Sequence, residues 1–266
     1  MLKFYKYHGT GNDFIMIDNR DKNFDIKDAE NIRLLCDRHF GIGADGLILV
    51  ESSNKADCFM NYYNADGTLA EMCGNGIRCV ALFFIEHTKS NLKELSIDTR
   101  AGIKKVIINK DGSLSVNMGI PVFSHVDFPG KSLVFEDITF KFVSMGNPHA
   151  VGFVKNISTI DISPIGSKIE NDSHFPNKIN MELVEKVADN RFKVKVWERG
   201  CGATLACGTG ACAVYAIVIK DGVRPCLTPD EITLEFPGGN LYLSENREGQ
   251  IILRGGAVCM FSGEMK

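Results

Sequence analysis

The chain has 266 residues, 44% of them hydrophobic, and a formal net charge of −3. A chain of this length and composition can supply two hydrophobic cores of ordinary size, so we expect two moderate domains. The small negative charge, with no run of lysine or arginine, argues against a nucleic-acid-binding protein.

The N-terminus and the apolar stretches argue against export or membrane insertion. Lys3, Lys6 and His8 interrupt the apolar N-terminal residues, which is unlike a secretory signal. The longest uncharged stretch, 203–219, is rich in glycine and short for a membrane span, so a buried helix after a glycine turn is expected. Nine cysteines without Cys-x-x-Cys or histidine–cysteine ligand spacing favour a reduced chain over a disulfide scaffold or a zinc site. We therefore expect a cytoplasmic protein without a metal.

Apolar alternation, helical spacing and turn signals divide the first half into short elements. Strands are predicted at 4–18 around the turn HGTG, at 47–50 after the turn GIGADG, and at 58–63, 96–99, 104–109 and 113–118. Helices are predicted at 28–38 and 76–86, and the second half repeats this order with its helix at 210–219. Each half therefore predicts a strand-rich wrap around one apolar central helix, an α/β fold of the α+β type.

Two copies of one domain account for a phrase that occurs twice, CGNG at 73–76 and CGTG at 207–210. Cys207 follows Cys73 by 134 residues (207 − 73), and the same offset superposes 46–51 on 180–185 and 61–64 on 195–198. The offset drifts by only two residues over the chain. Chance would not preserve one register over strands, glycines and cysteines, so the sequence predicts two pseudo-symmetric, duplicated domains.

Cys73 and Cys207 each stand at the predicted start of an apolar helix. Unpaired N–H groups and the helix dipole favour a thiolate there and can hold a substrate carboxylate. If the two domains face each other across a cleft, one sulfur can remove an α-proton while the other protonates the opposite face. The pattern therefore predicts stereochemical inversion. Other cysteines are predicted to be ordinary buried core residues: Cys36, Cys58, Cys79, Cys212, Cys226 and Cys259.

Seven motifs, in this order and spacing, cover nearly the whole chain: HGTGNDF, GIGADG, NADG, CGNGIRC, SMGNPHA, WERGCG and ACGTGACA. With them the chain resembles the diaminopimelate epimerase family. The resemblance implies a cofactor-independent isomerase that converts LL-2,6-diaminopimelate to the meso form for lysine and peptidoglycan precursor synthesis, with its active site in the cleft between the domains. It also implies that the C-terminal segment returns to the first domain, so we expect domains at 1–118 with 258–266 and at 119–257, and it allows a homodimer.

The resemblance implies roles for individual positions. The catalytic thiols fall on Cys73 and Cys207, and the groups that assist them on His149 and Glu198. Substrate contacts fall on Asn12, Asn64, Gly74, Asn75, Asn147, Asn180, Arg199, Gly208 and Thr209. These residue types suit a substrate with an ammonium and a carboxylate at each end, because asparagine donates and accepts without changing charge and an arginine fork binds a distal carboxylate.

Other interpretations stay open at this point. Each asparagine taken singly is an ordinary turn residue, His149 suits a turn, and Arg199 suits a surface ion pair with Glu198. For the function, one alternative is racemisation of another amino acid such as proline, because proline racemase shares the architecture and the paired cysteines. The other is a non-catalytic amino-acid-binding or thiol-redox protein.

Two positions depart from the family pattern. Many members follow ERG with a Gly-Glu-Thr phrase, whereas this chain has Ala203 in place of the glutamate, and some members have glutamine where this chain has Gly46. We expect the first change to remove a carboxylate near Cys207 and the second to remove a side-chain contact. Substrate affinity and selectivity should be affected more than the type of reaction.

Overall fold

The computed structural model of the protein describes residues 2–26, 28–222 and 231–265. The chain forms two compact units, one of Met1–Val116 with Gly255–Lys266 and the other of Asn117–Arg254. Each unit has a hydrophobic core of its own.

The first unit begins with a β-hairpin and continues as a strand-rich wrap. Its elements, in chain order, are β1 (Leu2–Gly9), β2 (Asn12–Asp18), α1 (Ala29–Cys36), β3 (Gly46–Glu51), β4 (Cys58–Asn64), α2 (Gly74–Thr88), β5 (Glu94–Asp98), β6 (Lys104–Ile108) and β7 (Leu114–Gly119). Thr10 and Gly11 form the β1–β2 turn with φ of 55° and 80°, a left-handed conformation that suits a two-residue hairpin. β2 runs parallel to β3 and β4 parallel to β5, while the other successive neighbours are antiparallel.

Helix α2 is the central helix of the first unit. It contacts all five strands from β1 to β5. Its residues from Gly74 to Ala81, and Phe83, are buried, so the helix is covered on nearly all sides over its first two turns. The predicted apolar helix is confirmed, and it begins two residues earlier than predicted.

The second unit repeats this plan with additions. Its elements, in chain order, are β8 (Ser132–Phe135), β9 (Ile138–Ser144), β10 (Pro148–Phe153), a 3-10 helix (Ile157–Thr159), α3 (Ile162–Glu170), β11 (Asn180–Ala188), β12 (Arg191–Glu198), β13 (Gly202–Thr204), α4 (Gly208–Lys220), β14 (Ile232–Phe236), β15 (Gly239–Glu245) and β16 (Ile251–Gly255). Helix α4 is buried over most of its length and contacts β9, β10, β11 and β15. Over the described ranges, no helix combines the length and the apolar character that crossing a bilayer requires.

The strand register of the first unit recurs in the second. Leu47 of β3 pairs with Tyr63 of β4, and Met181 of β11 pairs with Trp197 of β12, each 134 residues further along. The parallel pairs recur as well, because β10 with β11 repeats β2 with β3, and β12 with β14 repeats β4 with β5. The predicted fold class, a mixed α and β chain of two duplicated domains, is confirmed.

The chain returns to the first unit as β17 (Val258–Met265), which pairs antiparallel with β1. Its apolar side chains are exposed, including Phe261 at 51%. Cys259 lies on this strand and is exposed, so its predicted burial was wrong. Burial is confirmed for Cys36, Cys58, Cys79 and Cys212. The same prediction for Cys226 concerns a position outside the described residues.

Candidate active site

Cys73 and Cys207 are the N-caps of the two central helices. Their backbones are extended, with φ of −135° and −122°, and each sulfur accepts the N–H of the glycine three residues later at 3.4 Å. The first N–H groups of a helix have no acceptor within the helix, and the dipole adds partial positive charge there. The CGxG phrase therefore builds the same cap in both units, and each helix starts directly after its cysteine.

The second glycine of each phrase lets a neighbouring strand approach the first helical turn. A Cβ at Gly210 would lie 2.4 Å from Oε1 of Glu182, and one at Gly76 would lie 2.9 Å from Cε of Met60. Both distances are shorter than a normal contact. Packing therefore favours glycine at both positions, more strongly at Gly210 than at Gly76, where the flexible end of Met60 can move.

The amide of Asn12 lies beside the sulfur of Cys73. The Cys73 thiol donates to Oδ1 of Asn12 at 3.5 Å, and Nδ2 of Asn75 donates to the same oxygen at 3.4 Å. Nδ2 of Asn12 donates to Oδ2 of Asp45 at 2.8 Å, which fixes the orientation of the amide. Asn12 and Asn75, both predicted site residues, are thus brought together beside Cys73.

Behind Asn12 lies a cluster of charged side chains. Arg38 contacts Asp13 at 2.7 Å and Asp45 at 2.8 Å, and Lys6 contacts Asp13 at 2.7 Å. Burial favours the neutral form of Asp13, but hydrogen bonds from Arg38 and Lys6 outweigh it and hold the pKa of Asp13 well below its usual range. The ion pairs hold the two carboxylates in a fixed arrangement, so the amide of Asn12 meets a positioned acceptor.

Arg78 connects three segments of the first unit. It is fully buried, and its guanidinium donates to the Gly74 carbonyl at 2.9 Å, Oγ1 of Thr10 at 2.9 Å, Oδ1 of Asn75 at 3.0 Å and the Gly256 carbonyl at 3.2 Å. These bonds join the HGTG turn, the first turn of α2 and the segment that leads into β17. Arg78 therefore positions the predicted residues Gly74 and Asn75.

Two predicted positions of the first unit have local packing roles. Nδ2 of Asn64 donates to Oγ1 of Thr68 at 3.0 Å, which closes the turn after β4. A Cβ at Gly46 would lie 2.6 Å from the ring of Tyr62. A longer side chain at position 46 would therefore require Tyr62 to move, which explains glycine in this chain.

A chain of hydrogen bonds leads to the sulfur of Cys207 in the second unit. Sγ contacts Oγ1 of Thr209 at 3.4 Å, and Nδ2 of Asn147 donates to that hydroxyl at 3.3 Å. Nε2 of His149 lies 3.1 Å from Oδ1 of Asn147, and Nδ1 lies 2.7 Å from Oε1 of Glu182. Cys207, Thr209, Asn147 and His149 were all predicted, whereas Glu182 was not.

Glu198 lies at the end of β12 with its carboxylate bonded to a neighbour. The hydroxyl of Thr204 donates to Oε1 of Glu198 at 2.5 Å. Burial raises the pKa of Glu198, and hydrogen bonds from Thr204 and the Cys207 thiol offset only part of this rise. Glu198 is thus a buried acid in contact with the predicted catalytic sulfur.

The pKa of Cys207 differs from the sequence expectation. Burial raises it well above the usual value, and the negative charges of Glu198 and Glu182 raise it further. Hydrogen bonds from Thr209 and the Gly210 N–H oppose the rise but do not cancel it. The expectation that a helix start favours the thiolate was therefore wrong for Cys207, because burial and two carboxylates outweigh the cap.

Asn180 and Arg199 lie at the ends of β11 and β12. Asn180 is buried, its Nδ2 donates to the Pro148 carbonyl at 2.8 Å, and its Oδ1 accepts the N–H of Arg199 at 3.0 Å. The exposed guanidinium of Arg199 donates to the Asn177 carbonyl at 3.0 Å. Asn180 therefore ties the strand ends together, and the charged end of Arg199 is accessible to solvent.

Ala203 is exposed on β13, where it pairs with Trp197. Side chains alternate along a strand, so position 203 faces away from its neighbour Thr204, whose hydroxyl contacts Glu198. A carboxylate at position 203 would therefore not join the Thr204–Glu198 contact.

Sequence reasoning missed three residues that support the site: Asp45, Arg78 and Glu182. The last two carried a signal, since Arg78 interrupts an apolar helix and Glu182 interrupts an apolar strand, and a charge there needs a buried partner. Asp45 resembles an ordinary turn residue in GIGADG. Across the described parts of the chain, no group of three or more His, Cys, Asp or Glu side chains is arranged to hold a metal ion.

The comparisons with known proteins agree over the whole chain. The family model described as diaminopimelate epimerase matches residues 4–124 and 141–260. The chain belongs to the diaminopimelate epimerase family. Its relatives include proteins named diaminopimelate epimerase from Prochlorococcus marinus strain NATL2A, 43% identical with 98% of both chains covered, and from Carboxydothermus hydrogenoformans, 40% identical with 99% of both covered. The predicted resemblance to the diaminopimelate epimerase family is confirmed.

Solved structures with the same fold extend beyond the diaminopimelate epimerase family. A probable proline racemase from Agrobacterium radiobacter K84 matches with a TM-score of 0.74 at 13% identity, over 100% of this chain and 93% of the other. A phenazine biosynthesis protein of the PhzF family from Bacillus anthracis matches with a TM-score of 0.72 at 17% identity, over 100% and 99%. At these identities the likeness concerns the fold alone.

Proposed function

We propose that this protein interconverts LL- and meso-2,6-diaminopimelate by proton transfer at an α-carbon, with Cys73 and Cys207 as the acid–base pair and without a cofactor. The observation that carries the proposal is the identical cap position of these two cysteines in two copies of one domain. Membership of the diaminopimelate epimerase family, with relatives of that name over the full chain, supports the choice of substrate.

The proposed reaction balances without a further reactant. One thiolate takes the α-proton, and the C–H electron pair passes into a carbanion that is delocalised onto the substrate carboxylate. The other thiol delivers its proton to the opposite face of the carbon. Because the pKa of Cys207 is raised, we assign the acid to Cys207, and Cys73 acts as the base once it has lost the proton that its thiol donates to Oδ1 of Asn12. Each turnover exchanges the two roles, which allows the reverse reaction.

The remaining site residues receive supporting roles in this proposal. Helix-start N–H groups would hold the carboxylate at the reacting centre, and the guanidinium of Arg199 would bind the distal carboxylate, because a fork of donors matches a carboxylate. His149 and Glu198 would adjust the protonation of Cys207. The substrate contacts proposed are Asn12, Asn64, Gly74, Asn75, Asn147, Asn180, Arg199, Gly208 and Thr209. As an enzyme of lysine and peptidoglycan precursor synthesis, the protein would act in the cytoplasm, and a homodimer is proposed as its assembly.

The experiment that tests this function follows the α-centres of LL-diaminopimelate in deuterated water. The reduced protein, without added cofactor, is expected to form the meso isomer with deuterium at the inverted centre, as measured by NMR and chiral chromatography. Inversion without deuterium uptake would contradict the thiol mechanism. If the folded protein inverts proline or another amino acid but not diaminopimelate, the substrate assignment is wrong and a racemase of another amino acid takes its place.

A further inference from the structure

Glu182 is a buried carboxylate to which the proposed reaction gives no direct role. It lies on β11 with no exposed surface, and its Oε1 is 2.7 Å from Nδ1 of His149. Within the described residues, its Oε2 has no hydrogen-bond partner. An ionised carboxylate is costly to bury unless a nearby cation compensates its charge. In the part of the chain that the structure describes, the candidate cation in contact with Oε1 is the imidazole of His149.

The contacts of His149 determine its protonation. Nδ1 faces the carboxylate of Glu182, and Nε2 faces the carbonyl oxygen of the Asn147 amide at 3.1 Å. Both partners are acceptors in this arrangement. An imidazole can donate to two acceptors only when both of its nitrogens carry protons. With the amide of Asn147 in this orientation, donation from both nitrogens of His149 would pair an imidazolium with the carboxylate of Glu182.

The hydrogen bonds continue from His149 through Asn147 and Thr209 to the sulfur of Cys207. Because the amide oxygen of Asn147 accepts from His149, its NH2 group donates to the hydroxyl oxygen of Thr209. The single hydroxyl proton of Thr209 is then directed at the sulfur of Cys207, 3.4 Å away, where the Gly210 N–H also donates. Two donors stabilise a thiolate, and they offset part of the effect of burial and of the carboxylates.

If His149 were neutral, the hydrogen bonds that join it to Asn147 and Thr209 could run with donors and acceptors exchanged. Its unprotonated Nε2 would accept from the amide of Asn147, the turned amide oxygen would accept the hydroxyl proton of Thr209, and the sulfur of Cys207 would lose that donor. The charge on His149 thus decides whether Thr209 donates to the sulfur. The carboxylate of Glu182 is the one that contacts the imidazole directly, and the charge of Glu198 also interacts with His149.

We propose that Glu182 is a positioning residue that acts on Cys207 through His149, by keeping the imidazole doubly protonated so that Thr209 donates to the sulfur. The inference rests on the proposed function, in which Cys207 is one of the two acid–base thiols. Of the two caps, the one in the second unit has this arrangement. In the first unit the position equivalent to Glu182 is Ile48, an apolar residue whose side chain approaches Gly76.

The first test compares two buried glutamates by the rate at which iodoacetamide alkylates Cys207 at fixed pH, with peptides quantified by mass spectrometry. Glu182→Gln removes the negative charge that raises the pKa of Cys207, but His149 loses its positive charge with it, so the main net change is the lost donor from Thr209. We expect Cys207 to react about tenfold more slowly, which corresponds to about one pKa unit, and Cys73 to react within about twofold of the wild-type rate. Glu198→Gln removes a negative charge that raises the pKa of Cys207, so Cys207 should react faster.

The sign of the Glu182→Gln effect decides between two roles. Faster alkylation of Cys207 would mean that the direct effect of the Glu182 charge on the sulfur outweighs any effect through His149, and an unchanged rate would mean that Glu182 has no net action on the sulfur. Equal slowing of Cys73 and Cys207 would indicate a general structural defect. Each of these three results overturns the proposal. In a His149→Gln background, Glu182→Gln should cause no further slowing, and an additive effect would also contradict action through His149.

A second measurement needs no substitution at position 182. Long-range 1H–15N spectra of the wild-type protein at about pH 7, assigned with His149→Gln, are expected to show protons on both ring nitrogens of His149. A spectrum with one protonated nitrogen overturns the proposal even if Glu182→Gln does not fold. Neither measurement uses diaminopimelate, so failure of the wild-type protein to epimerise it would reject the proposed function and leave this inference to be judged separately.

With diaminopimelate as substrate, Glu182→Gln should lower kcat and leave KM within about twofold.

Discussion

The two helix caps share a backbone but not an electrostatic environment. Around Cys73 lie the neutral amides of Asn12 and Asn75, with the charges of Asp45 and Arg38 one contact further away. Around Cys207, by contrast, lie three titratable side chains that are buried or nearly so: His149, Glu182 and Glu198.

Strand register shows which equivalent positions differ between the two units. His149 pairs with Asn180 as Phe14 pairs with Gly46, so a histidine in one unit occupies the place of a phenylalanine in the other. By the same offset, Glu182 replaces Ile48 and Glu198 replaces Asn64. The two copies therefore place equivalent thiols in different surroundings, and the carboxylates of the second unit raise the pKa of Cys207. In the proposed reaction one thiol must be protonated while the other is not, and such surroundings influence which thiol holds the proton.

Loss of either sulfur should have the largest effect. Cys73→Ala and Cys207→Ala each remove one partner of the proton transfer, so epimerisation should fall by at least about 10³-fold in both directions. The comparison predicts more than inactivity: each variant keeps one thiol, so each should still exchange the α-proton for deuterium in only one stereoisomer, and the two variants should differ in which one. NMR in deuterated water measures both quantities.

Cys201→Ala is the matched control for these variants. Cys201 is an exposed thiol of the second unit, outside the cap. Its removal should leave the epimerisation rate unchanged. Substantial epimerisation by Cys73→Ala or Cys207→Ala would reject the two-thiol mechanism, whatever the control shows.

Adding a methyl group to Gly76 or to Gly210 should reveal a difference in packing between the two caps. In Gly210→Ala the new Cβ displaces the carboxylate of Glu182 from its position beside His149, and we expect the free energy of unfolding to fall by about 1–3 kcal/mol. In Gly76→Ala the Cβ meets the flexible end of Met60, which can move at lower cost. Alanine favours both helices equally, so the difference in urea unfolding reports packing. Equal losses would show that the two caps are packed alike.

A smaller effect on activity is expected from Asp45, which supports the cap at Cys73 by orienting Asn12. Asp45→Ala removes the acceptor that orients the amide of Asn12, so kcat/KM should fall by about tenfold and alkylation of Cys73, but not of Cys207, should change. Arg38→Ala is the control, because it removes a charge from the same cluster without removing an atom bonded to Asn12. If both variants lose the same activity, the cluster acts by charge and not by orienting the amide.

The sequence predicted the parts of the site that depend on local chemistry and on the repeat. The repeated phrase CGxG at two predicted helix starts identified both caps, and one offset of 134 residues predicted equivalent strands in the two halves, which the register confirms. It did not predict the contact between His149 and Glu182, which lie far apart in the chain and meet only through the parallel register of β10 and β11. The raised pKa of Cys207 has the same origin, because burial depends on what surrounds a helix start and not on its sequence.

The weakest expected effect concerns the pH dependence of stability. Burial holds the pKa of Glu198 above its usual value of 4.5, so the folded protein binds this proton more tightly than the unfolded chain does. The stability that results is fully present below the unfolded pKa and is lost as the pH rises through the folded pKa. Glu198→Gln stays neutral, so it should gain stability relative to wild type as the pH rises from about 4, and urea unfolding at a series of pH values measures this gain. Asn64→Ala, at the equivalent uncharged position, should differ from wild type by the same amount at every pH. A constant difference for Glu198→Gln as well would mean that the second cap carries no buried acid, and that the two halves are electrostatically alike at this position.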